Sequence, residues 1–177
     1  DQSIEDNKKI TVGTLDDVVY NGKKQKQEPE VTTKDGKTTL VKENDYTLSY
    51  SEDTKNVGEV TVTVTGKGNY SGKVERKYKI TKAPLTVTTK GATRAYTGQP
   101  LTAPGTVTGF VEGENAELQV TGKQTDVGSS KNTYNIVWTE TTKADNYQVS
   151  ETVGTLTVTD QSIEDNKKIT VGTLDDV

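Results

Sequence analysis

Apolar and polar residues alternate with a period of two in several segments of this chain. In the segment VTVTVT, Val60, Val62 and Val64 fall on one face and the intervening threonines fall on the other. The same period recurs in Val74, Tyr78 and Ile80, in Tyr134, Ile136 and Trp138, and in Leu156 and Val158. Such alternation predicts β-strands with one buried face. Since no segment sustains helical spacing, we expect an all-β fold.

Turn signals rich in glycine separate the predicted strands. They are Asn21-Gly22, Asp35-Gly36, Gly66 to Asn69, Ser71-Gly72, Pro84 and Gly98 to Pro100. The best hairpin candidate is Asp35-Gly36, which lies between VTTK and KTTLV. Glycine and aspartate tolerate the positive φ of a primed turn, so we predict a tight hairpin there.

Residues 1–18, DQSIEDNKKITVGTLDDV, return letter for letter as residues 160–177. The offset between the two copies is 160 − 1 = 159 positions. A long exact repeat is typical of tandem arrays, in which each unit contacts mainly its neighbours. We therefore expect one full period plus the start of the next copy. Residues 160–177 are expected to extend beyond the preceding module as a linker, or to pair with an exposed strand edge in another molecule.

Composition excludes most catalytic chemistry. The chain has no Cys and no His, and therefore no Ser-His-Asp triad, no thiol nucleophile and no ordinary zinc site. We expect that it is not an enzyme, and we nominate no catalytic, cofactor-binding or metal-ligating residue and no cofactor. Only 29% of the residues are hydrophobic, which predicts a narrow core. No apolar run approaches the roughly 20 residues of a membrane span, and we see no signal peptide, so we expect a piece from inside a longer chain.

Two halves of the chain carry the same landmarks in the same order. The first half has a strand near Ile10, then Tyr20 to Gly22, Asn56 to Gly58, Asn69-Tyr70 and the closing strand KYKIT. The second half has LTVTT from Leu85, then Tyr96 to Gly98, Asp126 to Gly128, Asn146-Tyr147 and the closing strand GTLTVT. We predict two immunoglobulin-like β-sandwich modules, residues 9–82 and 83–159, in an elongated end-to-end arrangement. The predicted junction is Lys82 to Pro84.

These landmarks also carry a family resemblance. The first half resembles the bacterial Ig-like repeats of Firmicutes surface and secreted proteins, through Asp45-Tyr46, Val57-Gly58, the segment GKGNYSG from Gly66, Tyr78 and Ile80. The second half resembles the MBG-type bacterial Ig-like domain, through Leu85, Tyr96, Pro100-Leu101, Gly109-Phe110, Val127-Gly128, Asn146-Tyr147 and the segment GTLTVT from Gly154. The resemblance implies a repeated, non-catalytic surface module with no transferable active-site residues. In this chain a threonine separates Tyr96 from Gly98, where the MBG family more often has glycine directly after tyrosine.

Several side-chain groups admit both a functional and a structural interpretation. The threonine rows Thr61, Thr63, Thr65 and Thr155, Thr157, Thr159 could form an ice-binding array, but we expect outward-facing β-branched residues. The acidic clusters Asp16-Asp17, Glu43 to Asp45 and Glu112 to Asn115 could bind calcium, but none has EF-hand spacing, and we expect turn capping. A Lys–Asn amide bond between side chains is a further candidate, without a positional signal to support it.

Aromatic and basic residues admit the same two interpretations. Tyr70 and Tyr147 could stack on a sugar, although we expect aromatic plugs whose hydroxyls anchor a loop. Trp138 alternates in phase with Tyr134 and Ile136, which predicts a core position. The basic segment 23–26 is too short for nucleic-acid binding and is expected to be a solvated or an edge-protecting segment.

The combined prediction is a structural stalk or spacer repeat of a bacterial cell-surface protein, expected to be an adhesin. Such a repeat would project a distal binding domain from a Gram-positive cell wall, with anchoring through other regions of the protein. Its expected partners are the neighbouring repeats, and nucleic acid is not among them. The alternative is a repeat that itself binds carbohydrate or a host protein through multivalent weak contacts.

Overall fold

The structure is a computed structural model that describes residues 1–162 and Gly172. The predicted behaviour of residues 160–177 as a linker or edge strand falls largely outside these described residues. The chain forms two compact units. Unit 1 comprises Asp1–Pro84, Phe110–Asn115 and Thr141–Gln148. Unit 2 comprises Leu85–Gly109, Ala116–Glu140 and the described residues from Val149 onward.

The first eight strands lie in unit 1. They are β1 (Gln2–Ser3), β2 (Ile10–Val12), β3 (Val18–Val19), β4 (Val31–Thr33), β5 (Tyr46–Tyr50), β6 (Gly58–Gly66), β7 (Tyr70–Ser71) and β8 (Lys73–Thr81). The largest sheet has the order β3-β8-β6-β5, and β3 pairs with β8 in parallel. Two smaller sheets pair β2 with β4 in antiparallel and β1 with β7 in parallel.

The remaining strands follow from residue 83. They are β9 (Ala83–Thr89), β10 (Ala92–Ala95), β11 (Gly105–Thr108), β12 (Glu117–Val120), β13 (Gly128–Lys131), β14 (Tyr134–Val137), β15 (Tyr147–Thr152) and β16 (Thr155–Thr159). Three sheets have the orders β10-β16-β13, β11-β9-β15 and β12-β14. A single 3-10 turn, Ala144–Asn146, precedes β15 in the described chain. The all-β prediction is confirmed.

The predicted alternation places the core correctly in the long strands. In β6, Val60, Val62 and Val64 are buried, while Thr61 and the other threonines face the opposite side and stay half-buried. Tyr78 and Ile80 of β8 are buried as well. In unit 2 the same pattern buries Leu85 and Val87 of β9, and Leu156 and Val158 of β16.

A core cluster of unit 1, here called the Ile4 cluster, includes the beginning of the chain. Its buried members are Ile4, Ile10, Val12, Val31, Leu40, Tyr46 and Val64, with Leu48, Tyr70 and Val74 packed against them. Ile4 is only 2% exposed, although it precedes the first strand that alternation predicts. Residues 1–8 therefore contribute to the packing of unit 1.

The predicted hairpin at Asp35-Gly36 forms, but its turn is longer than two residues. Thr33 N donates to Thr38 O at 2.9 Å, so four residues lie between the paired positions. Gly36 has a φ of 75°, and Gly36 N donates to Thr33 O. Asp35 Oδ1 accepts hydrogen bonds from Thr33 Oγ1 and Lys37 N, and these bonds hold the pKa of Asp35 below its usual value, with the Lys37 N–H as the main cause. This side-chain network stabilises the longer turn.

Close backbone contact explains the segment GKGNYSG. Gly66 N donates to Gly72 O at 2.8 Å, which closes the loop between β6 and β8. A Cβ atom at Gly66 would lie 2.6 Å from Ser71 N, so a larger residue would force the two passes of the chain apart. Gly72 has a φ of 87°, a conformation that glycine adopts without steric cost.

Candidate functional site

Two buried tyrosines share one carboxylate in unit 1. The Tyr20 hydroxyl donates to Glu114 Oε2, and the Tyr147 hydroxyl donates to Glu114 Oε1 at 2.8 Å. Val111 N donates in turn to the Tyr147 hydroxyl at 3.2 Å. Both tyrosines are 3% exposed, so these hydroxyls are satisfied by protein groups. We call Tyr20, Phe110, Glu114 and Tyr147 the tyrosine cluster.

Ring contacts complete the tyrosine cluster. The Tyr20 and Tyr147 ring centroids are 5.8 Å apart at an interplanar angle of 79°. Phe110 meets Tyr147 at 5.4 Å and 77°. Both are edge-to-face arrangements, which aromatic quadrupoles favour. Segment 110–115 is thereby held by ring packing as well as by hydrogen bonds.

The environment of the tyrosine cluster favours neutral hydroxyls. Burial is the main cause that raises the pKa of Tyr147 to about 12, and the hydrogen bond and charge of Glu114 add to it. The pKa of Tyr20 is raised well above its ordinary value, first by burial and then by Glu114. A neutral hydroxyl beside a carboxylate is a hydrogen-bond donor. The cluster therefore anchors a loop through donated hydrogen bonds.

Asn146, the neighbour of Tyr147, anchors a second loop of unit 1. Its side chain is buried, and its Oδ1 accepts from Val57 N at 2.9 Å. Its Nδ2 donates to Asn56 Oδ1 at 3.0 Å. Asn56 donates from both its backbone and side-chain nitrogens to Asp53, and these bonds hold the pKa of Asp53 below its usual value, the Asn56 N–H being the main cause.

The structure separates the two Asn-Tyr pairs that look equivalent in the sequence. Tyr147 is the predicted aromatic plug with an anchoring hydroxyl, and its 3% exposure leaves no face for stacking on a sugar. Tyr70 is half-buried and packs against the Ile4 cluster of unit 1. Glu114 could be predicted only as a member of an acidic segment, because its two hydroxyl partners lie 94 and 33 positions away.

Acidic side chains in the other predicted clusters cap backbone groups. Asp17 Oδ1 accepts from Lys79 N at 2.8 Å, and Asp45 Oδ2 accepts from Val41 N at 2.8 Å. The Asp45 bond agrees with the expected turn capping, whereas the Asp17 bond caps a backbone group of the distant strand β8. Within the described residues, no group of three or more His, Cys, Asp or Glu side chains is arranged to hold a metal ion.

Asn132 forms a buried polar centre in unit 2. Its side chain is 0% exposed, and its Nδ2 donates to Lys90 O at 2.9 Å and to Ala103 O at 3.0 Å. Its backbone N donates to Gly154 O, and its backbone O accepts from Thr89 Oγ1 at 2.7 Å. Asn132 thus connects three separate parts of the fold: residues 89–90, Ala103 and Gly154. The sequence offers no periodic signal for it.

Gly122 and Gly154 allow this polar centre to be compact. A Cβ atom at Gly122 would lie 2.2 Å from Asn132 Oδ1, and one at Gly154 would lie 2.3 Å from Gly91 N. Since real Cβ atoms do not approach other atoms this closely, the two glycines are required by backbone proximity. Gly154 N also donates to Thr89 Oγ1 at 3.1 Å.

An open groove lies on another face of unit 2. Its volume is about 630 Å³, and its walls include Tyr134, Ile136, Trp138, Val149, Glu151 and Val153. We call it the Trp138 groove. The Tyr134 hydroxyl donates to Glu151 Oε2, and burial followed by this carboxylate raises the pKa of Tyr134 to about 12.

The predicted core position of Trp138 is wrong. Trp138, Tyr134 and Ile136 are all half-buried and line the groove. Alternation correctly places these three side chains on one face, but it does not determine whether another layer covers that face. The groove therefore leaves the side chains of Tyr134 and Trp138 partly accessible.

Other predicted candidates occupy structural positions. Lys26 Nζ lies 5.5 Å from the centroid of the Tyr50 ring, and Lys23 and Lys24 are exposed. Thr155 and Thr159 are exposed at the outer face of β16. A Lys–Asn amide bond would require a sheltered lysine, and the buried polar residues of the described chain are Thr54, Thr89, Asn132, Thr142 and Asn146.

Comparison with known proteins finds a family similarity over one part of the chain. No curated protein matches the sequence. No helix among the described residues has the length and apolar character needed to cross a membrane. Residues 85–157 match the family model of the MBG domain (YGX type), which confirms the MBG resemblance of the second half. Over these residues the chain is similar to a domain type of bacterial surface-associated repeats, which fits a structural surface protein.

Proposed function

We propose that this protein is a structural spacer repeat of a bacterial cell-surface adhesin. In this proposal, each period comprises two Ig-like modules, the first of the Firmicutes surface-repeat type. Successive periods follow one another in an extended array and hold a distal binding domain away from a Gram-positive cell wall. The partners of each period are its neighbours, and the array performs no catalytic step. The proposed function of the array is to set the distance between the cell wall and the distal domain.

The observation that carries this proposal is the place of the duplicated sequence in the fold. Residues 1–18 supply strands β1 and β2, the start of β3, and the buried Ile4, Ile10 and Val12 to unit 1. Because the identical segment returns at Asp160, the next copy starts with the same core-forming sequence. In the proposed array, the sequence period is also the structural period.

Two further observations support the surface spacer. The match of residues 85–157 to the MBG domain points to repeats of bacterial surface proteins. The buried tyrosines Tyr20 and Tyr147 are anchored to Glu114 inside unit 1, so their hydroxyls are used for holding loops in place.

Small-angle X-ray scattering from chains of one, two and four periods tests the spacer proposal. We expect the maximum dimension to rise linearly, by on the order of 60–80 Å per period if two modules of strand-limited length add end to end. A maximum dimension that rises only with the cube root of chain length would mean a compact assembly and would contradict the proposal.

The Trp138 groove supports a second candidate function, carbohydrate binding by the repeat itself. Half-exposed aromatic rings beside a polar pair, here Tyr134 and Glu151, resemble the mixture of apolar walls and a few polar groups that is typical of ligand sites. Multivalency along a repeat array would then strengthen weak binding.

The single tryptophan of the chain gives a direct test of this second candidate. Chito-oligosaccharides and manno-oligosaccharides would be titrated while Trp138 fluorescence is recorded. Saturable changes that Glu151→Gln weakens, and that the control Val137→Ser leaves unchanged, would support binding. Val137 is 41% exposed and lies on the opposite face of β14. Unchanged fluorescence throughout, with no heat in calorimetry, would reject it.

A further inference from the structure

Residues 1–18, here called the opening segment, pair with parts of unit 1 that lie later in the chain. Gln2 N donates to Asn69 O at 2.8 Å and Ile4 N donates to Ser71 O at 2.9 Å, which fixes β1 beside β7. The β1 pairing is parallel and begins at Gln2 opposite Tyr70. All of these acceptors lie far along the chain from the residues that contact them.

The second part of the opening segment pairs with β4. Ile10, Thr11 and Val12 lie opposite Thr33, Thr32 and Val31 in antiparallel register. Next to this pairing, Gly13 N donates to Glu30 O at 2.7 Å, and Lys34 N donates to Lys9 O at 2.8 Å.

Strand β8 makes further contacts with the opening segment. Arg76 donates to Val12 O from Nε at 3.2 Å and from Nη2 at 2.9 Å. Asp17 Oδ1 accepts from Lys79 N, and Val18 pairs with Ile80. We call the residues that receive the opening segment the acceptor surface; they are 30–34, 69–74, 76 and 79–81.

The hydrogen bonds inside the opening segment are local. Ile10 N and Lys9 N both donate to Asp6 O, and Lys8 N donates to Asp6 Oδ1 at 3.0 Å. Glu5 N donates to Ser3 Oγ. Any chain with the same sequence can form this turn, since no partner outside the segment is needed for it.

Residues 160–177, here called the duplicate segment, contain every group that the acceptor surface uses. By the repeat offset, Ile163, Ile169 and Val171 are the counterparts of Ile4, Ile10 and Val12, and Asp176 is the counterpart of Asp17. The acceptor surface has no means of distinguishing two identical sequences. The two segments differ only in their covalent connection. The opening segment is tethered to its acceptor surface because it directly precedes the rest of unit 1 in the same chain.

We propose that the duplicate segment of one molecule occupies the acceptor surface of a second copy of this chain in place of that copy's opening segment. The contact is head-to-tail, because one molecule gives its duplicate segment and the other gives its acceptor surface. Heterologous contacts of this kind continue into open chains unless they close into a ring. The occupant is thus a named segment of this protein, and the partner is a second copy.

Competition between the two segments sets the strength of this association. The opening segment is tethered and has an effective concentration in the millimolar range, as is typical of short flexible connections. The unaltered protein is therefore expected to associate only weakly at micromolar concentration. Weakening the opening segment alone removes this advantage.

The test uses the full chain with two charges introduced into the opening segment. In Ile4→Asp/Ile10→Asp, both substitutions place a carboxylate at positions that are 2% and 3% exposed. We expect this variant to self-associate with a dissociation constant at least tenfold below that of the unaltered chain, measured by sedimentation velocity. The matched control Ile163→Asp/Ile169→Asp carries the same two changes in the duplicate segment and should associate no more than the unaltered chain.

A synthetic peptide with the sequence of residues 160–177 keeps the test decisive if the first variant unfolds. We expect the peptide to bind the variant that carries all four substitutions and to restore its far-ultraviolet circular dichroism, whereas a peptide with aspartate at both isoleucine positions should not. A first variant that is folded and monomeric at all concentrations would overturn the proposal. So would an unfolded variant that the peptide fails to restore.

Discussion

The hydroxyl of Tyr147 donates a 2.8 Å hydrogen bond to Oε1 of Glu114, a residue 33 positions earlier in the chain. The other oxygen of the same carboxylate accepts from Tyr20, which lies 94 positions before Glu114. One carboxylate thus joins three distant segments of unit 1. The stability of this unit should depend on each member of the tyrosine cluster.

Tyr147→Phe removes the hydroxyl and keeps the ring. We expect it to lower the free energy of unfolding by about 1–2 kcal/mol, because Val111 N and Glu114 each lose a hydrogen-bond partner. Urea denaturation followed by circular dichroism measures the change. Tyr96→Phe is the control, since Tyr96 is 41% exposed and should have almost no effect. Equal effects of the two substitutions would contradict the role assigned to the cluster.

High pH should destabilise the protein through tyrosines whose pKa values are raised in the folded state. The pKa values of Tyr50, Tyr134 and Tyr147 are raised to about 12 from the ordinary value of 10.0, in each case mainly by burial. Between pH 10 and pH 12 the unfolded chain loses protons that the native chain keeps, so the free energy of unfolding falls as pH rises. Below pH 10 this contribution does not change.

Urea midpoints at several pH values, together with tyrosinate absorbance, measure this dependence. The slope of stability against pH above pH 10 should be shallower in Tyr147→Phe, because one raised pKa has been removed. Stability that is independent of pH up to pH 12 would show that these hydroxyls titrate normally.

Asn132→Ala should be among the most destabilising single substitutions in unit 2. It removes the two bonds from Nδ2 and leaves the carbonyl oxygens of Lys90 and Ala103 without that donor, at a cost of about 3 kcal/mol. Asn135→Ala, three positions later on an exposed face, is the matched control and should stay within about 0.5 kcal/mol of the unaltered protein. Thermal unfolding monitored by Trp138 fluorescence distinguishes the two.

Residues 1–84 should be less stable alone than within the full chain. They lack segments 110–115 and 141–148, which belong to unit 1 and supply Glu114, Asn146 and Tyr147. The test substitution is Tyr20→Phe. The Tyr20 hydroxyl has its acceptor, Glu114, only in the full chain. The substitution should destabilise the full chain by about 1–2 kcal/mol and stay within about 0.5 kcal/mol of neutral in residues 1–84. The same large effect in both would place the partner of Tyr20 elsewhere.

Sequence periodicity predicted the strands best where burial is one-sided and the strand is long. Val60, Val62 and Val64 could be assigned to one face because successive side chains of a strand point to opposite sides of the sheet. The hairpin at Asp35-Gly36 was also predictable, since glycine adopts the positive φ that the turn requires. The length of its turn was not, because the Asp35 carboxylate network closes four residues instead of two.

The roles of the site residues could not be predicted from the sequence, because these roles depend on contacts between distant positions. Trp138 alternates like a core residue, yet it lines an open groove, because a pattern along one strand contains no information about which layer lies opposite. Asn132 and Glu114 carry no periodic signal, and their roles follow from partners that the folded backbone brings within hydrogen-bond distance.

The order of residues alone was enough to assign an all-β fold and most of the buried strand faces, because both follow from local geometry. It also showed the exact repeat of residues 1–18, because that repeat is a direct identity. Tertiary packing was required to show that the repeated residues 1–18 complete unit 1, that Tyr20 and Tyr147 converge on Glu114, and that segments 110–115 and 141–148 belong with residues 1–84. These features are non-local: hydrogen bonds and close packing act over a few ångströms in space, irrespective of the number of residues between the groups that they join.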